Sequence, residues 1–165
     1  MTIICNNTGC DLLAYSLVGN QLKPQTSFKG LADVEWQTVS LTIGYPVQGI
    51  FGGKKDYTDI NTVARSHNGC ILATGTDFGE VKLFNYPCID EKSNFDTYYG
   101  HSAHVTKVAF TAQDDLLIST GGGDMTVLVY DTDIGGLTEV LQTQYEPHPD
   151  DIEEVKVDRS RATKR

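Results

Sequence analysis

The chain is poor in the features that mark several large classes of protein. Of its 165 residues only one is tryptophan and two are methionine, and Lys plus Arg number 13 against 22 Asp plus Glu. The formal net charge is −9, so the clustered basic footprint of a nucleic-acid binder is missing. The same balance opposes simple electrostatic attraction to an acidic surface. No apolar run approaches the roughly 18 residues of a membrane helix. Met1-Thr-Ile-Ile-Cys5 lacks the charged start and long apolar core of a targeting peptide. With Met1 as a native start, this points to a cytosolic protein. Cys5, Cys10, Cys70 and Cys88 sit in unrelated contexts, Cys70 and Cys88 flanking a predicted hairpin. Buried free thiols in a reducing compartment are expected.

What the chain does have is an internal repeat. Ile60-Asn-Thr-Val-Ala64 aligns with Val105-Thr-Lys-Val-Ala109 at an offset of 45. Leu72-Ala-Thr-Gly75 aligns with Ile118-Ser-Thr-Gly121, and Val81–Phe84 with Val127–Tyr130, both at 46. This alignment puts one added residue in the turn after the first strand. A period in the mid-forties, with short apolar strands and Gly/Asp turns, is the signature of a β-propeller blade. A ring needs about 4–8 blades, and the chain holds about three to four blade lengths. The expected fold is all-β, an incomplete ring of about three blades of antiparallel strands, in a fragment or a truncated product.

Thr2–Cys5 and Leu12–Leu17 read as strands around a turn cluster, and Tyr15-Ser16 as the last aromatic pair of a blade that ends by residue 30. Val34–Val39 alternates with period two. Leu41–Ile43 and Val47–Phe51 read as further strand pieces, making 31–57 an atypical short blade. The clear copies follow, a WD-type blade over 58–99 and another over 100–146. Within them the first strands end near Arg65 and Phe110. The second run Cys70–Thr74 and Leu116–Thr120, and the third Glu80–Asn85 and Thr126–Tyr130. An outer strand is expected near Asp96–Tyr99 and another over 137–144. From Pro147 the chain turns polar, so 147–165 reads as a charged linker or tail. No helix is expected anywhere.

His101, Ser119 or Thr120, Asp124 and Tyr130 are the residues of interest in the second copy. The turn Asp accepts from the His ring, the ring bonds a strand hydroxyl, and the hydroxyl reaches the aromatic at the end of the third strand. Such a chain satisfies buried polar groups. A Ser-His-Asp triad uses the same residue types. Ser119, however, sits inside a predicted strand without a G-x-S-x-G elbow, so the structural reading is favoured. Gly52-Gly-Lys-Lys55 and Gly121–Gly123 fail as phosphate loops. Gln48 and Lys55 stand where the first Gly and the Ser/Thr belong, and no helix follows. His101 and His104 lack the further ligands of a zinc site. Trp36 reads as core, and Tyr57, Tyr98 and Tyr99 as partly buried edge residues. No catalytic residue, cofactor or metal is expected, and the partner-binding residues are not identified.

These runs resemble the WD-repeat superfamily, and more narrowly the second propeller of the echinoderm microtubule-associated protein-like family. The resemblance rests on Asp33-Val-Glu-Trp-Gln-Thr38, Gly44-Tyr-Pro-Val-Gln-Gly-Ile-Phe51, Thr58-Asp-Ile-Asn61, Arg65-Ser-His67 and Asp77-Phe-Gly79. It continues in Val81-Lys-Leu-Phe-Asn-Tyr-Pro-Cys88, Gly100-His-Ser-Ala-His-Val-Thr106 and Leu117-Ile-Ser-Thr-Gly-Gly122. It covers roughly 1–131. It implies a non-catalytic scaffold that binds tubulin, microtubules or other cytoskeletal proteins in the cytoplasm, with no nucleic-acid or membrane partner. The alternative is a generic WD-repeat adaptor in a signalling or ubiquitin-ligase complex. The chain departs from the pattern at Tyr130 and Phe84, where a Trp is usual. It also has no counterpart of His101 in the earlier copy.

Overall fold

A computed structural model describes residues 1–53 and 56–133. It contains three antiparallel sheets. β1 (Thr2–Asn6), β2 (Leu12–Val18) and β3 (Gln21–Pro24) form the first, in that order. β4 (Ile60–Arg65), β5 (Ile71–Thr76), β6 (Glu80–Asn85) and β7 (Phe95–Tyr99) form a four-stranded meander. β8 (Val105–Phe110), β9 (Leu116–Gly121) and β10 (Val127–Asp131) form the third. The fold class is an almost entirely β chain built as part of a propeller. The expected outer strand over 137–144 and the tail over 147–165 lie outside the described residues.

Alternation along the strands explains how the middle sheet is held. In a strand, successive side chains point to opposite faces. Ile71 and Ala73 of β5, with Val81 and Leu83 of β6, pack against Val105, Val108 and Leu117 of the third sheet. Leu72 and Phe84 point the other way, with Val63, onto Val47, Ile50, Phe51 and Cys88. β5 is therefore buried at every residue, and its sequence is a continuous apolar and small run rather than an alternating one.

The two repeats share a pairing pattern. Each inner strand carries a β-bulge near its start, between Ile60 and Thr62 and between Val105 and Lys107. The register moves the added residue. Arg65 pairs with Leu72 and Phe110 with Leu117, so the offset of 45 continues through the second strand. Gly75 pairs with Val81 and Thr120 with Val127, so the shift to 46 falls in the following turn. Thr74 is thus the structural counterpart of Ser119, and Gly75 of Thr120. The local identity of Thr-Gly in both copies had pulled the sequence alignment one residue out of register.

The stretch over 31–57 corrects the sequence reading. Among its described residues there is no strand at Val34–Val39 or Leu41–Ile43, and Tyr45–Phe51 is a 3-10 helix. Pro46 favours this, because its fixed φ suits the first helical turn and it lacks an N–H to donate. Gly52, at φ 57, ends the helix in the left-handed conformation. The expectation of no helix fails here, and the period-two pattern around Trp36 corresponds to no strand and no single buried face: Trp36 is buried, but Val34 and Thr38 are exposed. Trp36 joins Ala14 and Leu31 in a separate apolar cluster. Arg65 ties the stretch to the middle sheet, donating to Gln37 O at 3.1 Å. All four cysteines are free, but only Cys88 is buried, and Cys70 is exposed. Cys5 and Cys10 are half-buried, so burial of all four is not met. β3, unforeseen, is an exposed edge strand that stops at Pro24.

The contact between the middle and third sheets depends on Gly75. A Cβ on residue 75 would lie 2.5 Å from Val105 Cγ1 and 2.8 Å from Thr62 Cγ2. Gly75→Ala should therefore cost about 1–3 kcal/mol through overpacking. Val105→Ala introduced together with it should restore part of the loss, because the two sites share the same space. Chemical denaturation of the two single variants and the double variant measures this. Strictly additive costs would contradict it.

Candidate functional site

The polar chain in the third sheet is assembled from three elements. His101 lies in the loop between β7 and β8, Ser119 in the middle of β9, and Asp124 in the turn between β9 and β10. His101 Nδ1 lies 3.0 Å from Asp124 Oδ2 and 2.8 Å from Thr126 Oγ1. Its Nε2 lies 2.7 Å from Ser119 Oγ. A carboxylate only accepts, so Nδ1 carries a proton, and in the neutral ring Nε2 accepts the Ser119 hydroxyl. Ser119 Oγ is 3.5 Å from Tyr130 Oη, at the limit of hydrogen-bond reach. Thr120 is not part of the chain. Its Oγ1 lies 2.8 Å from Thr106 Oγ1, and Thr106 Oγ1 also donates to Thr120 O at 3.0 Å. Thr126 is a member that sequence reasoning missed.

Asp124 is held by more than the imidazole. The N–H groups of Ser102 and Thr126 donate to its carboxylate at 3.1 and 3.2 Å. Burial alone would raise its pKa, but these donors and His101 hold the carboxyl below its ordinary range. The connectivity Asp124, His101, Ser119 is that of a catalytic triad. Ser119 is 0 % exposed, however, so its Oγ has no path to a substrate. The arrangement satisfies buried donors and fixes a turn.

The earlier copy shows what happens without the histidine. Thr74, the counterpart of Ser119, has a buried hydroxyl with no hydrogen-bond partner. The turn is closed instead by Thr76 Oγ1, which accepts from the N–H of Phe78 at 3.3 Å and of Glu80 at 3.2 Å. Asp77 accepts from Asn61 Nδ2 at 2.7 Å. Asn61, at the bulge of β4, also reaches Val105 O at 3.2 Å and so bridges to the third sheet.

A second carboxylate joins the two sheets at the opposite ends of the strands. Asp114, in the β8–β9 turn, accepts from the N–H of His67 and of Asn68, each at 2.8 Å. It also lies 2.9 Å from His67 Nδ1. Burial tends to raise its pKa, and these donors more than offset that, leaving it low. Asp114 holds φ 58, a conformation that Asp adopts more readily than most residues. Its contacts span a sequence separation of 47, beyond any local pattern. An Asp-Asp pair in a turn was the one available signal.

Four outcomes are expected. Thr74→Val should raise stability by about 1 kcal/mol, since it removes an unpaired buried hydroxyl at nearly constant shape. Ser119→Ala should lower stability, because it leaves the His101 ring nitrogen unpaired. Asp124→Ala should lower the melting temperature more than Asp77→Ala. Both Asp114 and Asp124 have carboxyls held low in the fold. Their contribution is complete above the unfolded carboxylate value of about 3.9 and is lost as pH falls through the lower folded value. A melting-temperature profile across the acid range should be flatter for Asp114→Asn than for the natural chain.

The comparisons with known proteins agree with this architecture. Residues 1–132 match the family model described as the echinoderm microtubule-associated protein second beta-propeller. The chain is 51% identical over 100 residues to the 77 kDa echinoderm microtubule-associated protein of Lytechinus variegatus, covering 61% of this chain and 15% of that protein. It is 46% identical over 106 residues to echinoderm microtubule-associated protein-like 2 of Homo sapiens, covering 64% and 16%. It is 40% identical over 126 residues to echinoderm microtubule-associated protein-like 1 of Rattus norvegicus, covering 76% and 15%. It therefore spans only a small part of these relatives' length. On the family model, which matches most of its residues, the chain belongs to the echinoderm microtubule-associated protein family and carries part of its second β-propeller.

Proposed function

We propose that this chain is part of a non-catalytic WD-repeat scaffold that binds tubulin, microtubules or associated cytoskeletal proteins in the cytoplasm. The observation that carries this reading is membership of a family whose named relatives are microtubule-associated proteins. Propeller blades are binding scaffolds, and the triad-like constellation of Asp124, His101 and Ser119 is sealed by burial of Ser119. The proposal divides the chain into the end of a blade over 1–30, a connecting stretch over 31–57, and blades over 58–99 and 100–146. His101, Ser119, Asp124 and Tyr130 have a structural role in it.

The net charge of −9 limits how tubulin is held. Tubulin's acidic tails would be repelled, so the contact rests on shape and apolar burial. Screening at physiological salt, where the Debye length is about 8 Å, then leaves it largely intact. The test is cosedimentation of the whole protein with microtubules and with soluble tubulin, at low salt and near physiological ionic strength. Binding at both salts is expected. Binding lost at physiological salt would refute the specific contact. No binding at either would favour the generic adaptor reading.

A further inference from the structure

The connections at one end of the strands form a rim that the polar chain above does not account for. The rim comprises the β5–β6 turn, the β7–β8 loop and the β9–β10 turn. The three pack side by side. A Cβ on Gly79 would lie 2.5 Å from His101 O and 3.1 Å from Ala103 O. A Cβ on Gly123 would lie 3.3 Å from the Ala103 Cβ, and the Gly122 N–H donates to His104 O at 2.9 Å.

Two large apolar side chains project from this rim. Phe78, at the tip of the first turn, is 68 % exposed, and Met125, in the last, is 89 % exposed. Met125 also holds φ 51, in the left-handed region. Gly or Asn adopts that conformation at lower cost than a side chain as long as methionine. An apolar side chain is thus both hydrated and strained at a position where folding alone favours glycine. Backbone outliers of this kind concentrate at functional sites. Thioether and phenyl groups are adaptable anchors for partner surfaces.

The charge around these anchors selects the partner. Residues 77–79, 100–104 and 122–125 include Asp77 and Asp124 but no Lys or Arg. Asp77 is exposed, and its hydrogen-bond partner Asn61 is neutral, so its charge is not offset by a cation there. We propose that this rim is a docking surface for a basic protein segment bearing an apolar side chain. The apolar group lies on Phe78 and Met125, and the cation sits beside Asp77. This goes beyond tubulin binding. A segment carrying acidic residues is disfavoured beside Asp77.

The experiment uses the whole protein and three short fluorescent peptides, composed of lysine and leucine, lysine and serine, or glutamate and leucine. Anisotropy titrations should show saturable binding of the lysine–leucine peptide and markedly weaker binding of the other two. Phe78→Ser and Met125→Gly should each weaken it by about fivefold or more, as expected for anchor residues. Met125→Gly relieves the positive φ, so its melting temperature should be no lower than that of the natural protein. Loss of binding in that variant is then not loss of fold. Equal binding of the lysine–serine peptide would reduce the effect to bulk charge and overturn the proposal. Unchanged affinity in Met125→Gly, or no binding of any peptide, would overturn it as well.

Discussion

Val105 occupies the space that a side chain on residue 75 would need, and the seam between the two repeats is built around that fact. The missing Cβ lets β5 approach β8 closely enough for Ile71, Ala73, Val81 and Leu83 to bury against Val105, Val108 and Leu117. That apolar seam is then pinned at both ends of the strands. Asn61 reaches across to Val105 O on one side, and Asp114 accepts from the 67–68 turn on the other. Non-directional burial supplies the attraction, and the polar contacts set the register in which it acts.

The two repeats solve the same problem in different ways. Each presents a hydroxyl to the interior from its second strand. In the later repeat His101 reaches Ser119, and Asp124 and Thr126 steady the ring. In the earlier one no histidine arrives, and Thr74 is left unpaired. That repeat is instead buried on both faces, because the 3-10 helix covers the side that faces away from the seam. Packing compensates for a polar network that is absent.

The sequence made the repeat legible because strands and turns recur with identical chemistry at a fixed spacing. It placed β4–β6 and β8–β10 within a residue or two, and it brought His101, Ser119, Asp124 and Tyr130 together. It went wrong where local likeness and pairing disagree. Thr-Gly occurs in both copies, but ladder register matches Thr74 to Ser119 rather than to Thr120. It went wrong again at 31–57, where the alternation around Trp36 matches neither pairing nor burial, since Trp36 is buried while Val34 and Thr38 are exposed. Asp114 left no signal beyond an Asp-Asp pair in a turn, because a long-range acceptor leaves no periodic trace.

Asp114 reads the main chain of its neighbour more than its side chains. Two of its three donors are peptide N–H groups, which every residue but proline carries. The residues at 67 and 68 can therefore drift in evolution without breaking that contact. A joint of this kind is indifferent to the identity of the unit it holds. A blade linked through it can change its side chains at this turn and keep the joint.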